Sequence, residues 1–166
     1  MGRIAILAAL MSAAASLMPV SAATAPRNYE ALILVGRRAS AINVDLLQAK
    51  QAYDQTGTNI DSASAGCLGA LTDASGEIDA DLGELSDLAS LSSLMKLPAD
   101  RRAVDRVMRI RITATVQIFG VLRPEISAMI GECSNSALVQ SKGQILLDFM
   151  QATTDQLNEL GPNPNR

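Results

Sequence analysis

The sequence predicts an all-α fold: an up-down antiparallel bundle of about four helices, with one disulfide joining helices 2 and 3. Three observations carry this. The chain has no Trp or His, and Tyr29, Tyr53, Phe119 and Phe149 are its only aromatic residues. Its core must therefore come from Leu, Ile, Val, Met and Ala, a composition that suits helices better than strands, which favour aromatic and β-branched residues. Apolar residues recur at steps of three and four over long stretches, the spacing of a buried helix face. The only two cysteines, Cys67 and Cys133, lie equally far from a predicted turn near residue 100.

The N-terminal stretch has the layout of a secretory leader. Arg3 gives a positive start, an apolar run extends from Ile4 to Val20, and small residues follow at Ser21, Ala22 and Ala23. The expected organisation is a cleaved signal peptide over 1–22, a helical domain over 23–160 and a disordered tail over 161–166. An uncleaved anchor is the alternative, since the run is near the short limit for a membrane span. No later segment is long and apolar enough to cross a bilayer. Loss of the leader leaves about 143 residues, enough for one ordinary domain. Arg3 is the leader's only charge, so its removal takes the net charge from −3 to about −4. That balance argues against a nucleic-acid binder, and the leader points to a periplasmic or secreted protein.

The first helix is expected after Asn28 as its N-cap and to run to about Asp54. Leu32, Val35, Ala39, Ile42, Leu46, Ala49 and Tyr53 form its heptad seam. "QTGTN" breaks it at Gly57. The second starts at "TNID", where Thr58 and Asp61 stand at capping-box spacing. Its seam is Cys67, Leu71, Ala74, Ile78, Leu82, Leu85 and Ala89, and it ends near Lys96–Leu97, because Pro98 restricts the residue before it.

The third helix takes Pro98 into its first turn, where proline is tolerated. Its centre, "MRIRITATVQIF", alternates apolar and polar residues as a strand does. A lone strand has no partner for its backbone groups, and no second alternating run exists to pair with it. The helical reading also gathers Arg102, Arg106, Arg109, Thr113, Gln117 and Gly120 into one polar stripe. Val104, Met108, Phe119, Leu122, Ile126, Met129 and Cys133 form the opposite seam, interrupted by Arg111 and Thr115. Pro124 should kink this helix. The fourth helix is capped by Ser134-Asn135-Ser136 and runs to about Leu160, burying Leu146, Phe149, Met150, Leu157 and Leu160.

Two cysteines in an exported chain read most simply as a disulfide. In an antiparallel hairpin, facing residues lie equally far from the turn, which puts Cys67 and Cys133 at one level. A reactive thiol would need a basic partner, most often His, and a zinc site further Cys or His ligands; the chain supplies neither. CxxC redox spacing is also lacking.

The same lack of His removes the usual triads and most metal or haem sites. Asp73, Glu77, Asp79, Asp81, Glu84 and Asp87 crowd helix 2, but "DASGEIDADLGE" fails the EF-hand register. They read as a solvated acidic face. No catalytic residue, cofactor site or metal site is expected.

Two surface features remain. Gly69, Gly76 and Gly83 stand seven apart on helix 2, although each glycine within a helix costs about 0.5–1 kcal/mol against Ala. A stripe of small residues permits close approach of helix 1, helix 4 or another molecule; the plainer reading is a tolerated solvent face. Arg102, Arg106 and Arg109 point away from the seam and suit an acidic partner. Arg111 falls near the seam, either snorkelling to its edge or held in a partly buried ion pair.

These features lead to an exported, non-enzymatic module that binds another envelope protein through the glycine–acid face or the arginine stripe, as an inhibitor, an immunity-like protein or an assembly component. Homo-oligomers are compatible with it. In general style "GCLG" and the cysteine-paired helical layout resemble small periplasmic immunity or inhibitor proteins, an analogy of fold class alone. The alternative is a carrier of a small apolar ligand or lipid lodged between the helices.

Overall fold

The computed structural model of the protein describes residues 29–56 and 62–161. The expected leader, the Asn28 cap, the Gly57 break, the Thr58 and Asp61 caps and the tail from 162 onward lie outside those residues. Four helices follow in order: α1 (Glu30–Gln55), α2 (Ser62–Leu94), α3 (Pro98–Glu132) and α4 (Ala137–Leu160), and no strand occurs among the described residues. Consecutive helices pack as neighbours, α1 and α4 touch lightly, and α2 meets α4 across the diagonal. Short connections between consecutive helices produce this up-down arrangement.

The expected seams form the core. Leu32, Val35, Ala39 and Leu46 of α1 are buried, as are Leu71, Ile78, Leu82, Leu85 and Ala89 of α2 and Leu146, Phe149, Met150 and Leu157 of α4. Each fully buried Leu or Ile contributes about 1.5–3 kcal/mol of transfer free energy. On α3 the expectation needs one correction. Thr115 does not interrupt the seam but is buried in it, with Ile112, between Met108 and Phe119. A threonine can occupy a core position in a helix because its hydroxyl can bond to the preceding turn.

Local signals set the helix ends. Leu97 is extended (ψ 133°) immediately before Pro98, and the proline occupies the first turn of α3, as the restriction on pre-proline residues requires. Helix α3 runs unbroken across Pro124. Pro124 and Gly120, whose carbonyl loses its i+4 donor there, both face solvent, where water can satisfy that oxygen. At the next connection Ser136 caps α4, its hydroxyl accepting from the Val139 amide at 3.4 Å. Gln140 of α4 reaches back and donates to the Ile130 and Cys133 carbonyls at the end of α3. One turn thus satisfies orphan groups of two helices.

The α1–α2 packing is the tightest in the molecule, and small residues make it so. A Cβ added to Gly36 would lie 2.7 Å from Ser86 Cβ and 3.1 Å from the Leu82 carbonyl oxygen. Asn43 donates to Asp79 across the same interface at 3.1 Å. Thr72, Ser75, Asp79, Leu82 and Ser86 share a helix face at these spacings, so α2 turns its short side chains towards α1. Gly143 of α4 is the second close approach, its missing Cβ giving room to Ile130. The α1–α4 side is held by Lys142–Asp45 at 2.5 Å and by Arg38 over the Phe149 ring at 5.8 Å.

The cysteine register is as the sequence indicates. Cys67 of α2 and Cys133, at the end of α3, form a disulfide with 6.6 Å between their Cα atoms. It closes a loop of 66 residues, for which the chain-entropy model gives about 4 kcal/mol.

Two stability measurements check this account. Replacing both cysteines by Ala should lower Tm by roughly 10 °C while leaving the helical circular dichroism below the transition intact; an unchanged Tm would remove the staple from the stability argument. Gly36→Ala should destabilise by about 1–3 kcal/mol through overpacking, whereas Gly76→Ala, with open space at its Cβ, should stabilise by about 0.5–1 kcal/mol. Chemical denaturation of the pair reads the opposite signs directly.

Candidate interaction surface

With the helices placed, each sequence-predicted surface residue has an address. Gly69, Gly76 and Gly83 lie along the outer edge of the α1–α2 interface and are half-buried. A Cβ at Gly69 would come 3.9 Å from Lys50 Cε, and at Gly76 and Gly83 it would meet nothing within 4 Å. The close approach of α1 therefore uses Gly36 and Ser86, and α4 uses Gly143. Nothing in the described residues requires glycine at 76 or 83.

Arg102 and Arg106 stand exposed on α3. Arg109 is drawn back along the helix, its guanidinium donating to the Asp105 carboxylate at 2.9 Å. Asp105 also accepts from the Tyr29 hydroxyl. Tyr29 is buried at the start of α1, so this link ties α1 to α3 although their backbones do not pack together.

Arg111 pairs with Glu84 of α2, but both side chains are about half exposed, 47% and 54%. The partly buried pair considered from sequence is thus an exposed one, worth about 0–1 kcal/mol. Beside it, Asp81 is half-buried, and its carboxyl is raised above the ordinary 3.8, chiefly by desolvation and then by the Glu84 charge, with Arg111 pulling the other way. Of the other acids on α2, Asp73, Glu77, Glu84 and Asp87 face water, while Asp79 is half-buried against α1 and accepts from Asn43.

The surface feature that sequence reasoning missed is on α3. Val107, Ile110, Ile118 and Val121 are 46%, 65%, 37% and 61% exposed. With half-buried Ala114 they fall within about 80° of one another on the helix. This is a second apolar stripe, turned away from the core. Its signal was the alternation in "MRIRITATVQIF": Met108 and Ile112 point in, Ile110 and Ile118 out. Beside it Arg109, Ile110, Thr113, Ala114 and Gln117 line a shallow open depression of about 390 Å³. Leu91, Leu94 and Leu97, exposed at the α2–α3 turn, add apolar surface at that end. Scattered exposed apolar residues are ordinary, whereas a continuous apolar row makes this face the candidate contact surface.

Among the described residues no group of three or more Cys, Asp or Glu side chains is placed to hold a metal ion, and both cysteines are in the disulfide. No described helix is long and apolar enough to cross a membrane.

No family model matches this chain, and no curated protein or solved structure does. The surface itself is what bears on function.

Asp81 gives a pH test. An acid whose pKa rises on folding favours the native state while protonated, so its contribution is full below 3.8 and is lost as pH rises through the raised value. Asp81→Asn should therefore raise Tm at pH 7. That gain should shrink to nothing at pH 3. Thermal melts at the two pH values check it, and a gain independent of pH would contradict the assignment.

Proposed function

We propose that the protein is an exported, non-enzymatic interaction module of the bacterial envelope, of the inhibitor, immunity-like or assembly-component kind, and that it engages protein through the outer faces of the stapled α2–α3 hairpin. The observation that carries this reading is the apolar row Val107, Ile110, Ala114, Ile118 and Val121 on a helix whose other face is already fully used by the core. Leaving four branched apolar chains in water is unfavourable for a free monomer, and a covering protein surface removes that cost. The exposed Arg102 and Arg106 supply a charged rim next to it, the composition typical of recognition surfaces.

The export part rests on the leader-like residues 1–22 and agrees with a disulfide, which persists in oxidising compartments. The carrier reading has less support. Leu71, Met108, Phe119, Met150 and Leu157 are completely buried between the helices, and the depression on α3 is open rather than enclosed.

Capture of the tagged protein from the periplasm at native abundance, with Ile110→Asp as matched control, tests the proposal. The expected result is a stoichiometric protein complex, with itself or with another chain, that the variant loses. A monomer carrying stoichiometric lipid would overturn it in favour of the carrier.

A further inference from the structure

The outer row of α3 reads the same in both directions. Val107 and Val121 stand seven residues either side of Ala114, and Ile110 and Ile118 four either side. Spacing and residue type are both mirrored: Val, Ile, Ala, Ile, Val. All five lie on one stripe and are at least partly exposed. Contacts across a two-fold axis are reciprocal, so antiparallel pairing about Ala114 would set each of these residues against one of its own kind in the other copy.

We infer that the outer face of α3 is the seam of an antiparallel homodimer, with its two-fold axis at Ala114. This deepens the reading of that face as an interaction surface by naming its occupant as a second copy of the chain. In the dimer Val107 packs on the partner copy's Val121, Ile110 on its Ile118, and the two Ala114 residues meet. Three features beyond the mirror fit the arrangement.

The first is length: the row spans about 21 Å of helix, several turns of continuous side-chain contact. The second is size at the axis. Ala114 is the smallest of the five, and the depression beside it gives a partner's branched side chain a place to seat while the two backbones approach, as small residues allow in other close helix pairs. The third is charge. Before Ala114, α3 carries Arg101, Arg102, Arg106, Arg109 and Arg111 against Asp100 and Asp105; after it, Arg123 stands against Glu125 and Glu132. Antiparallel pairing sets the basic half over the acidic half, while parallel pairing would set two basic halves together.

Each protomer has its own closed core, so the dimer dissociates without unfolding. One helix face also supplies fewer than the roughly 20–30 residues per side of a standard interface, which places the dimer among small, reversible associations.

The test uses the full chain, expressed with its native N-terminus and with the disulfide intact. Analytical ultracentrifugation across a concentration series should show a monomer–dimer equilibrium. Ile110→Asp and, separately, Ile118→Asp should each weaken it by more than about 30-fold, with Tm unchanged at concentrations where the unmodified chain is also monomeric, because both side chains are outside the core. Ala114→Cys should be joined to its copy by a short bis-maleimide. Ala103→Cys should not, since two such sites lie about 33 Å apart in the antiparallel dimer; efficient cross-linking of both would mean parallel pairing and overturn the inference. A dimer indifferent to Ile110→Asp would overturn it too. So would a monomer at millimolar concentration. In that last case the interaction reading survives if periplasmic capture still returns a complex that needs Ile110, and falls with the inference if it does not.

Discussion

The rest of the bundle depends on how α2 is fixed against α3. A turn holds these two long helices together only at one end, and in an antiparallel pair of more than thirty residues each the far ends are free to slide or splay. The Cys67–Cys133 bond is placed at that far end. Clamped at the turn and at the staple, the hairpin has one register, and the inward chains of α2 and α3 interdigitate in that register alone. The exposed Arg111–Glu84 pair agrees with it but is too weak to impose it.

From the fixed hairpin the other two helices follow by shape. Helix α2 divides its circumference: Leu71, Ile78, Leu82 and Leu85 fill the core, while Thr72, Ser75 and Ser86 leave a shallow side on which α1 closes down. Closeness there substitutes for large side chains, since dispersion contacts accumulate when backbones approach. Helix α4 uses the opposite device. It brings Phe149, Met150, Leu146 and Leu157 to a broader gap and yields only at Gly143, where Ile130 intrudes. Polar ties finish the thin α1–α4 side, and the Tyr29–Asp105 link crosses the diagonal where no backbone contact exists.

Much of this was legible in the sequence because it depends on period and position along the chain. Seam residues such as Leu46, Ile78 and Ile126, the Pro98 start, the Ser136 cap and the pairing of Cys67 with Cys133 all follow from spacing. What was not legible depends on which side of a helix a neighbour occupies. The Gly69–Gly76–Gly83 stripe is regular, so it offered a contact face beside the plainer reading of a tolerated solvent face, yet the close approaches fall at the solitary Gly36 and Gly143. One glycine at a crossing point is enough, and no periodicity announces it. Thr115 misled for a related reason: polarity alone reads as exposure, while its place between Met108 and Phe119 buries it.

The alternation in "MRIRITATVQIF" shows how such ambiguity resolves. Every second residue of a helix is rotated by about 200°, so apolar residues at a period of two are thrown alternately to opposite sides. A strand with that pattern has one apolar face, whereas a helix has two. Once the absence of a pairing partner rules for helix, the same twelve residues that built a core seam must also have built an apolar face outside it. The inner residues, Met108, Ile112 and Phe119, are constrained by the clamped hairpin. The outer ones, Ile110 and Ile118, are not needed by the fold of a single chain. A branched apolar side chain kept in water at position after position is therefore not a requirement of folding, and the proposed association is the reading that gives it a role.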